Sequence, residues 1–373
     1  MTSPTSTTSG AAPEPFGSTS GGTGVERWWL RTPSGARAAV LSLGGTLQSL
    51  SVPGTAGGTG VELVVGLPDV AAYEAGGDFF GATVGRFANR IAGGRFSVDG
   101  VEHRVPTGGA QHALHGGESG FDRRVWEAEE VPGAAAVRLR LTSPDGDMGF
   151  PGQLRAEVVY TLTDVEGGAQ LRIDYLATAD APTPVSLTNH AYFNVDGVGS
   201  GTVEQQRLRI AAARYLPVDA GLIPTGELAP VAGTPFDFTA PRRIGERLRE
   251  GHPQVLAGQG YDHCWVLDAT FGAEPAEPVL VAEVTGAGGR VLQVLTDRPG
   301  LQFYSGNFLT GTTTDADGHP VRQTDALCLE TQALPDAVNQ PAFGDVVLRP
   351  GQRWRSTTVY RVLEAGALSP VGR

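Results

Sequence analysis

The 373-residue chain carries a formal net charge of −12, spread along its length rather than gathered in a tail, so it presents no basic stripe to nucleic acid or to an anionic membrane. All 28 basic residues are arginine, and the absence of lysine excludes Schiff-base catalysis, pyridoxal phosphate anchoring and a P-loop lysine. No apolar run approaches the roughly 18 residues of a membrane-spanning helix.

Residues 1–24 are mostly Ser, Thr, Gly and Pro, too polar to bury anything, and read as a disordered tail without the basic and apolar regions of a secretory signal. The folded part is expected to start near Val25 and to run as one domain to residue 365, with a short tail over 366–373. A short turn is expected at Val70 to Tyr73. Val137–Leu141, Glu157–Leu162 and Leu171–Leu176 alternate apolar and polar residues with the period of half-buried strands. Leu208–Ile210 and Val291–Leu295 read the same way. The best helical pattern lies over Pro241–Glu250, where Ile244 and Leu248 share a face, Pro241 suits a first turn and Gly251 an exit. Many strands and few helices imply an all-β chain of antiparallel sheets packed as a large sandwich or barrel. Cys264 and Cys328, each in apolar sequence, read as reduced core residues of a cytoplasmic protein.

Glu330 stands in the strand-like run Ala326–Thr331. A carboxylate there is partly desolvated and becomes a better proton acceptor near neutrality, yet an acid paired with a buried arginine fits the window equally well. Among the seven histidines, His103, His252 and His319 need only solvated or capping roles. His112 and His115 flank Ala113-Leu114 before Gly116-Gly117, whose glycines let backbone approach a ligand closely. His190 closes a strand-like run, where the default is a satisfied core histidine, and His263 follows Gly260-Tyr261-Asp262. A zinc site is disfavoured because the glycines around His112 and His115 oppose a helix and no H-E-x-x-H pattern is present. Two clusters, Gly85–Ile91 and Gly300–Asn307, interleave Arg, Asn and Gln with aromatics, as a site for sugar hydroxyls and a ring face requires.

Taken in order, several segments resemble the aldose 1-epimerase (galactose mutarotase) family. They are Gly85-Arg86-Phe87-Ala88-Asn89-Arg90-Ile91, Leu114-His115-Gly116-Gly117, Leu187-Thr188-Asn189-His190-Ala191-Tyr192-Phe193-Asn194, Gly260-Tyr261-Asp262-His263, Gln302-Phe303-Tyr304 and Leu329-Glu330-Thr331-Gln332, with Ser143–Gly146, Gly149–Gly152 and Leu222–Gly226 between them. The resemblance implies a single large β-sandwich, the galactose mutarotase-like supersandwich, that binds a monosaccharide in a groove across one sheet. It implies Glu330 as general base, His190 as general acid and His115 as a second histidine near the ring oxygen. Asn89, Arg90, Asp262 and Gln302 would hold sugar hydroxyls or orient the base, while His112 and His263 match no family role and remain near-site or structural candidates, with a structural place favoured.

The implied reaction interconverts α and β anomers of an aldohexose such as glucose or galactose, without metal or other cofactor, in a monomer or weak homodimer. It requires Glu330 ionised and His190 protonated together, with Asn or Gln donors to the carboxylate and Asp262 near the histidine. The alternatives are a hexose-6-phosphate 1-epimerase, for which Arg86 and Arg90 are the only nearby arginines, a glycoside hydrolase pairing Asp262 with Glu330, and a non-catalytic sugar-binding module.

Overall fold

The computed structural model describes residues 9–53, 60–273, 277–364 and 366. The expected strands form with bounds a few residues wider than their patterns. Ala136–Ser143, Leu154–Val165 and Gly168–Ala179 contain three of them, and Arg207–Ile210 and Val291–Thr296 the other two. Alternation has its usual cause: Val137, Leu139, Val158, Tyr160, Leu171 and Ile173 point into the core while Arg138 and Arg140 point out.

Three sheets carry the architecture. One has five strands in sequential order from Gly10–Ser18 to Val61–Glu62, and the largest has nine, with the long Trp354–Leu363 strand near its middle. The third has six, in the order Tyr192–Phe193, Leu327–Gln332, Gly300–Tyr304, Asp262–Val266, Arg214–Tyr215 and Ala229–Pro230. Strand pairs within these sheets are antiparallel. One apolar cluster draws on all three, with Leu30 and Val40 from the first, Val158, Ile173 and Tyr360 from the second, and Leu301, Phe303 and Leu329 from the third. The chain is thus an all-β sandwich, and one face of the six-stranded sheet is closed off against the nine-stranded one.

Two expectations need correction. Residues 10–18 are a strand, not part of a disordered tail, and pair antiparallel with Gly24–Arg31, with one register shift between Pro15 and Gly17. Polar composition misleads here because an edge strand needs few apolar side chains when its partner supplies anchors: Glu14 accepts from the Trp29 indole at 2.9 Å and from Arg27 Nε at 2.7 Å. Residues 1–8 and, Gly366 apart, the expected tail over 366–373 lie outside the described residues.

The helix expected over Pro241–Glu250 does not form. Arg242–Arg243 bridges to Arg207–Leu208 at the end of the nine-stranded sheet and only a 3-10 turn, Ile244–Glu246, follows. Ile244 and Leu248 are buried as their spacing suggests, but the pairing with a strand fixes the backbone first. The helix lies downstream at Pro253–Gly258, with His252 capping it by accepting from Gln254 N–H at 3.2 Å, and the turn at Val70 is a short helix to Ala75.

Candidate active site

Cross-strand register assembles the site. In the six-stranded sheet Glu330 lies opposite Gln302, and Gln302 opposite Cys264. Tyr304 lies between Asp262 and Cys328, and Cys328 is opposite Tyr192. Since side chains alternate, Tyr192, Asp262, Gln302, Tyr304, Cys328, Glu330 and Gln332 share one face, while Leu301, Phe303 and Leu329 enter the apolar core from the other. The second wall comes from the loop clusters. Arg90-Ile91 pairs with Ala113-Leu114, and Asn89 and His115 clasp each other through two bonds: His115 N–H to Asn89 O at 3.0 Å, and Asn89 N–H to His115 Nδ1 at 3.1 Å.

Between the walls lies a cavity of about 180 Å³ lined by Asp78, Phe79, Asn89, Arg90, His115, His190, Tyr192, Asp262, Tyr304, Phe308 and Glu330, among others. Six of the seven residues named from sequence line it. The seventh, Gln302, stands behind, where its amide donates to Asp262 Oδ1 at 2.6 Å and its own Oε1 finds no partner among the described residues. Asp262 is also paired with Arg90 at 3.3 Å. Phe79, Asn89 and His115 all have left-handed backbone, with φ of 55°, 67° and 51°. Each such residue costs about 1–3 kcal/mol unless its surroundings enforce it, and three together on one cavity wall mark a site whose shape has been favoured over local backbone energy.

Glu330 and His190 face each other at the floor, with Oε1 and Nε2 3.7 Å apart and only 2% and 5% of the residues exposed. The His190 backbone is bracketed by Gly81 and Ala82, through Gly81 N–H to His190 O at 3.0 Å and His190 N–H to Ala82 O at 2.9 Å. Burial pushes the Glu330 carboxyl well above the ordinary range, reinforced by Asp262 and opposed by Arg90. Burial also lowers His190 to about 4, against its own backbone and Asp262, and holds His115 well below the usual imidazole range, with His190 and Arg90 adding to the effect. The charged pair expected from sequence is therefore not the state that burial favours. The anticipated amide donors to the carboxylate are also absent among the described residues, since Gln302 serves Asp262 and Glu330 Oε2 has no partner.

These two descriptions contain the same number of protons. A neutral acid beside a neutral imidazole and a carboxylate beside an imidazolium are tautomers of one singly protonated pair. His115, His190 and Glu330 also bring one ligand atom each within 4.8 Å of one another, a metal-like cluster. His115 argues against that use: its Nδ1 accepts the Asn89 N–H, so the neutral ring carries its proton on Nε2 and has no lone pair there for a metal. The same tautomer makes His115 a fixed hydrogen-bond donor.

His112 and His263 take structural positions. His112 Nδ1 accepts from Gly93 N–H at 2.9 Å, and His263 is fully buried on the core face against Phe236, its Nε2 3.2 Å from Gln254 Oε1. Arg86 is removed from the sugar-binding cluster: it is buried and donates to the carbonyls of Ser143, Pro144 and Pro151 and to the Ser143 hydroxyl. Gly116 serves backbone packing rather than ligand approach, because a Cβ there would sit 1.9 Å from Gly85 O. Asp78, Phe79, Tyr192, Tyr304 and Phe308 escaped the sequence reading, although the two-residue offset of Tyr304 from Gln302 on one strand is a signal that could have found it.

The family model for aldose 1-epimerases matches residues 26–361. The chain belongs to that family. It is 42% identical to galactose mutarotase of Rattus norvegicus over 343 residues, covering 92% of this chain and 95% of the relative. It is 39% identical to aldose 1-epimerase of Escherichia coli K12 over 337 residues, covering 90% and 94%. Among solved structures, galactose 1-epimerase from Lactobacillus acidophilus NCFM superposes with a TM-score of 0.81 at 28% identity, over 96% of this chain and 100% of that one. An aldose epimerase homologue from C. elegans gives 0.78 at 29% identity, over 89% and 97%.

Proposed function

We propose that this member of the aldose 1-epimerase family interconverts the α and β anomers of an aldohexose such as glucose or galactose by acid–base ring opening. The observation that carries this reading is the buried Glu330–His190 pair, 3.7 Å apart on the floor of a cavity lined by hydroxyl-binding and aromatic side chains. In the reactive tautomer Glu330 removes the proton from the C1 hydroxyl while His190 Nε2 protonates ring O5, and the C1–O5 bond breaks to give the open aldehyde. The pair then holds its proton on the carboxyl, the arrangement burial favours, so the dry floor stabilises the enzyme's half of the ring-opened state. Rotation about C1–C2 presents the other carbonyl face, and reclosure returns both protons.

Binding must therefore tip the pair toward its charged tautomer. Arg90 favours the ionised carboxylate and Asp262 the charged imidazole, and Gln302 holds Asp262 in place for that task. His115, donating from Nε2, suits a ring or hydroxyl oxygen. The test is polarimetry on freshly dissolved α-D-glucose and α-D-galactose, in which the protein accelerates the approach to anomeric equilibrium and Glu330→Gln does not. Two free, buried thiols, Cys264 and Cys328, support a reducing, cytoplasmic setting.

A further inference from the structure

Asp78 lines the cavity, yet neither the ring-opening chemistry nor the packing of the sheets requires an acid there. It lies just beyond the helix Val70–Ala75, and the intervening loop is held from below. The Arg123 guanidinium donates to the carbonyls of Tyr73 at 3.2 Å, Glu74 at 2.7 Å and Gly76, and the Tyr192 hydroxyl donates to Asp78 O at 3.0 Å. The backbone of Asp78 is therefore fixed against a residue of the pocket floor. Its carboxylate, half-buried, makes no hydrogen bond or ion pair with any other described residue, and burial raises its pKa. Asp78 lines the same cavity as Tyr192, Tyr304 and Glu330.

The charges around it make the group selective. Among the described residues the cavity is lined by two further acids, Asp262 and Glu330, and by one arginine, Arg90, which is already paired with Asp262. The two histidines, His115 and His190, are held toward their neutral forms by burial, and Tyr192 and Tyr304 stay protonated. A free carboxylate at the edge of such a pocket accepts a hydrogen bond from a sugar hydroxyl and meets a second anion with uncompensated repulsion.

We propose that Asp78 is the specificity-determining residue that fits this pocket to uncharged aldoses, by accepting a hydroxyl away from the anomeric centre, and turns away anionic sugars such as uronic acids and sugar phosphates. The proposal rests on the mutarotase reading above and deepens it.

The test compares kcat/KM of the wild type, Asp78→Asn and Asp78→Ala on D-galactose, D-galacturonate and D-glucose 6-phosphate, above neutrality and at low and high salt. Wild type is expected to prefer galactose. Asp78→Asn lowers its kcat/KM on galactose mainly through KM and raises that on the two anions, so that the preference ratio falls by about 10- to 100-fold, less at high salt. Asp78→Ala shows the same relief toward anions with a larger loss on galactose, since no acceptor remains. Folded variants with an unchanged ratio, beside an active wild type, overturn the role of Asp78 alone. A wild type inactive on every neutral aldose overturns the mutarotase reading and this proposal with it.

Discussion

Glu330→Gln separates the chemical role of the acid from its structural cost. The amide has the size of the carboxyl and keeps an acceptor oxygen, so binding should change little, but it cannot take the C1 hydroxyl proton. Loss of a proton-transfer partner lowers kcat by about 10² to 10⁴, or roughly 3–5 kcal/mol of transition-state stabilisation. Stability should move the other way. The unfolded chain ionises Glu330 above its ordinary pKa of 4.5, whereas the folded protein, with the carboxyl buried and Oε2 unpaired, holds the proton to higher pH. Its contribution to stability is thus fully present below pH 4.5 and is lost as pH rises through the folded pKa.

At neutral pH the wild type therefore bears a desolvation cost that the neutral amide avoids, on the order of 1–3 kcal/mol. Polarimetry should show an almost inactive variant, and calorimetry a raised Tm at neutral pH whose gain disappears in acid. Because Glu330 and His190 share one proton, Glu330→Gln/His190→Asn should lose no more kcat than the worse single variant. Turnover within a few-fold of wild type, or a Tm gain that is the same in acid and at neutrality, would sink the assignment of Glu330 as a buried base.

The pH profile of kcat/KM should be a bell whose acid limb lies near 4, where the pair takes a second proton on His190, and whose alkaline limb lies above the ordinary carboxylate range, where the pair loses its only proton. Replacing Arg86 by Leu removes its hydrogen bonds to the Ser143, Pro144 and Pro151 carbonyls and the Ser143 hydroxyl; the Pro144 carbonyl keeps the Asp147 N–H and the Ser143 hydroxyl still donates to Asp147, so the Ser143 and Pro151 carbonyls lose most, at about 1 kcal/mol or more each, and chemical denaturation should register roughly 2 kcal/mol or more of lost stability. Gly116→Ala puts a methyl group 1.9 Å from Gly85 O at a φ of +93°, so the loop must shift; kcat should fall at least ten-fold as His115 leaves its place.

The sequence made some layers legible and hid others for physical reasons. Strands such as Leu171–Leu176 announce themselves because burial on one face imposes a local period of two. The neighbours of Glu330 do not, because Gln302 and Asp262 are brought near it by the register of three strands separated by long stretches of chain. Family motifs supplied that juxtaposition in advance, but they carried no account of the proton balance, which follows from burial. Asp78 was invisible because Gly76-Gly77-Asp78 reads as an ordinary turn, and the Arg123 clamp with the Tyr192 hydroxyl turns that loop into a wall. Pro241–Glu250 misled for the opposite reason: its spacing marks buried residues correctly, while a two-residue bridge decides their backbone.

The edge strand Gly10–Ser18 has a bearing on how the molecule behaves in company. It stands at the end of its sheet and carries Pro13 and Pro15, two residues apart and so on the same side of the strand. Neither has an N–H to offer a further strand, which blunts this margin as a template for β-addition. Together with the net charge of −12, the proline pair guards a strand-rich protein against stacking edge to edge at high concentration.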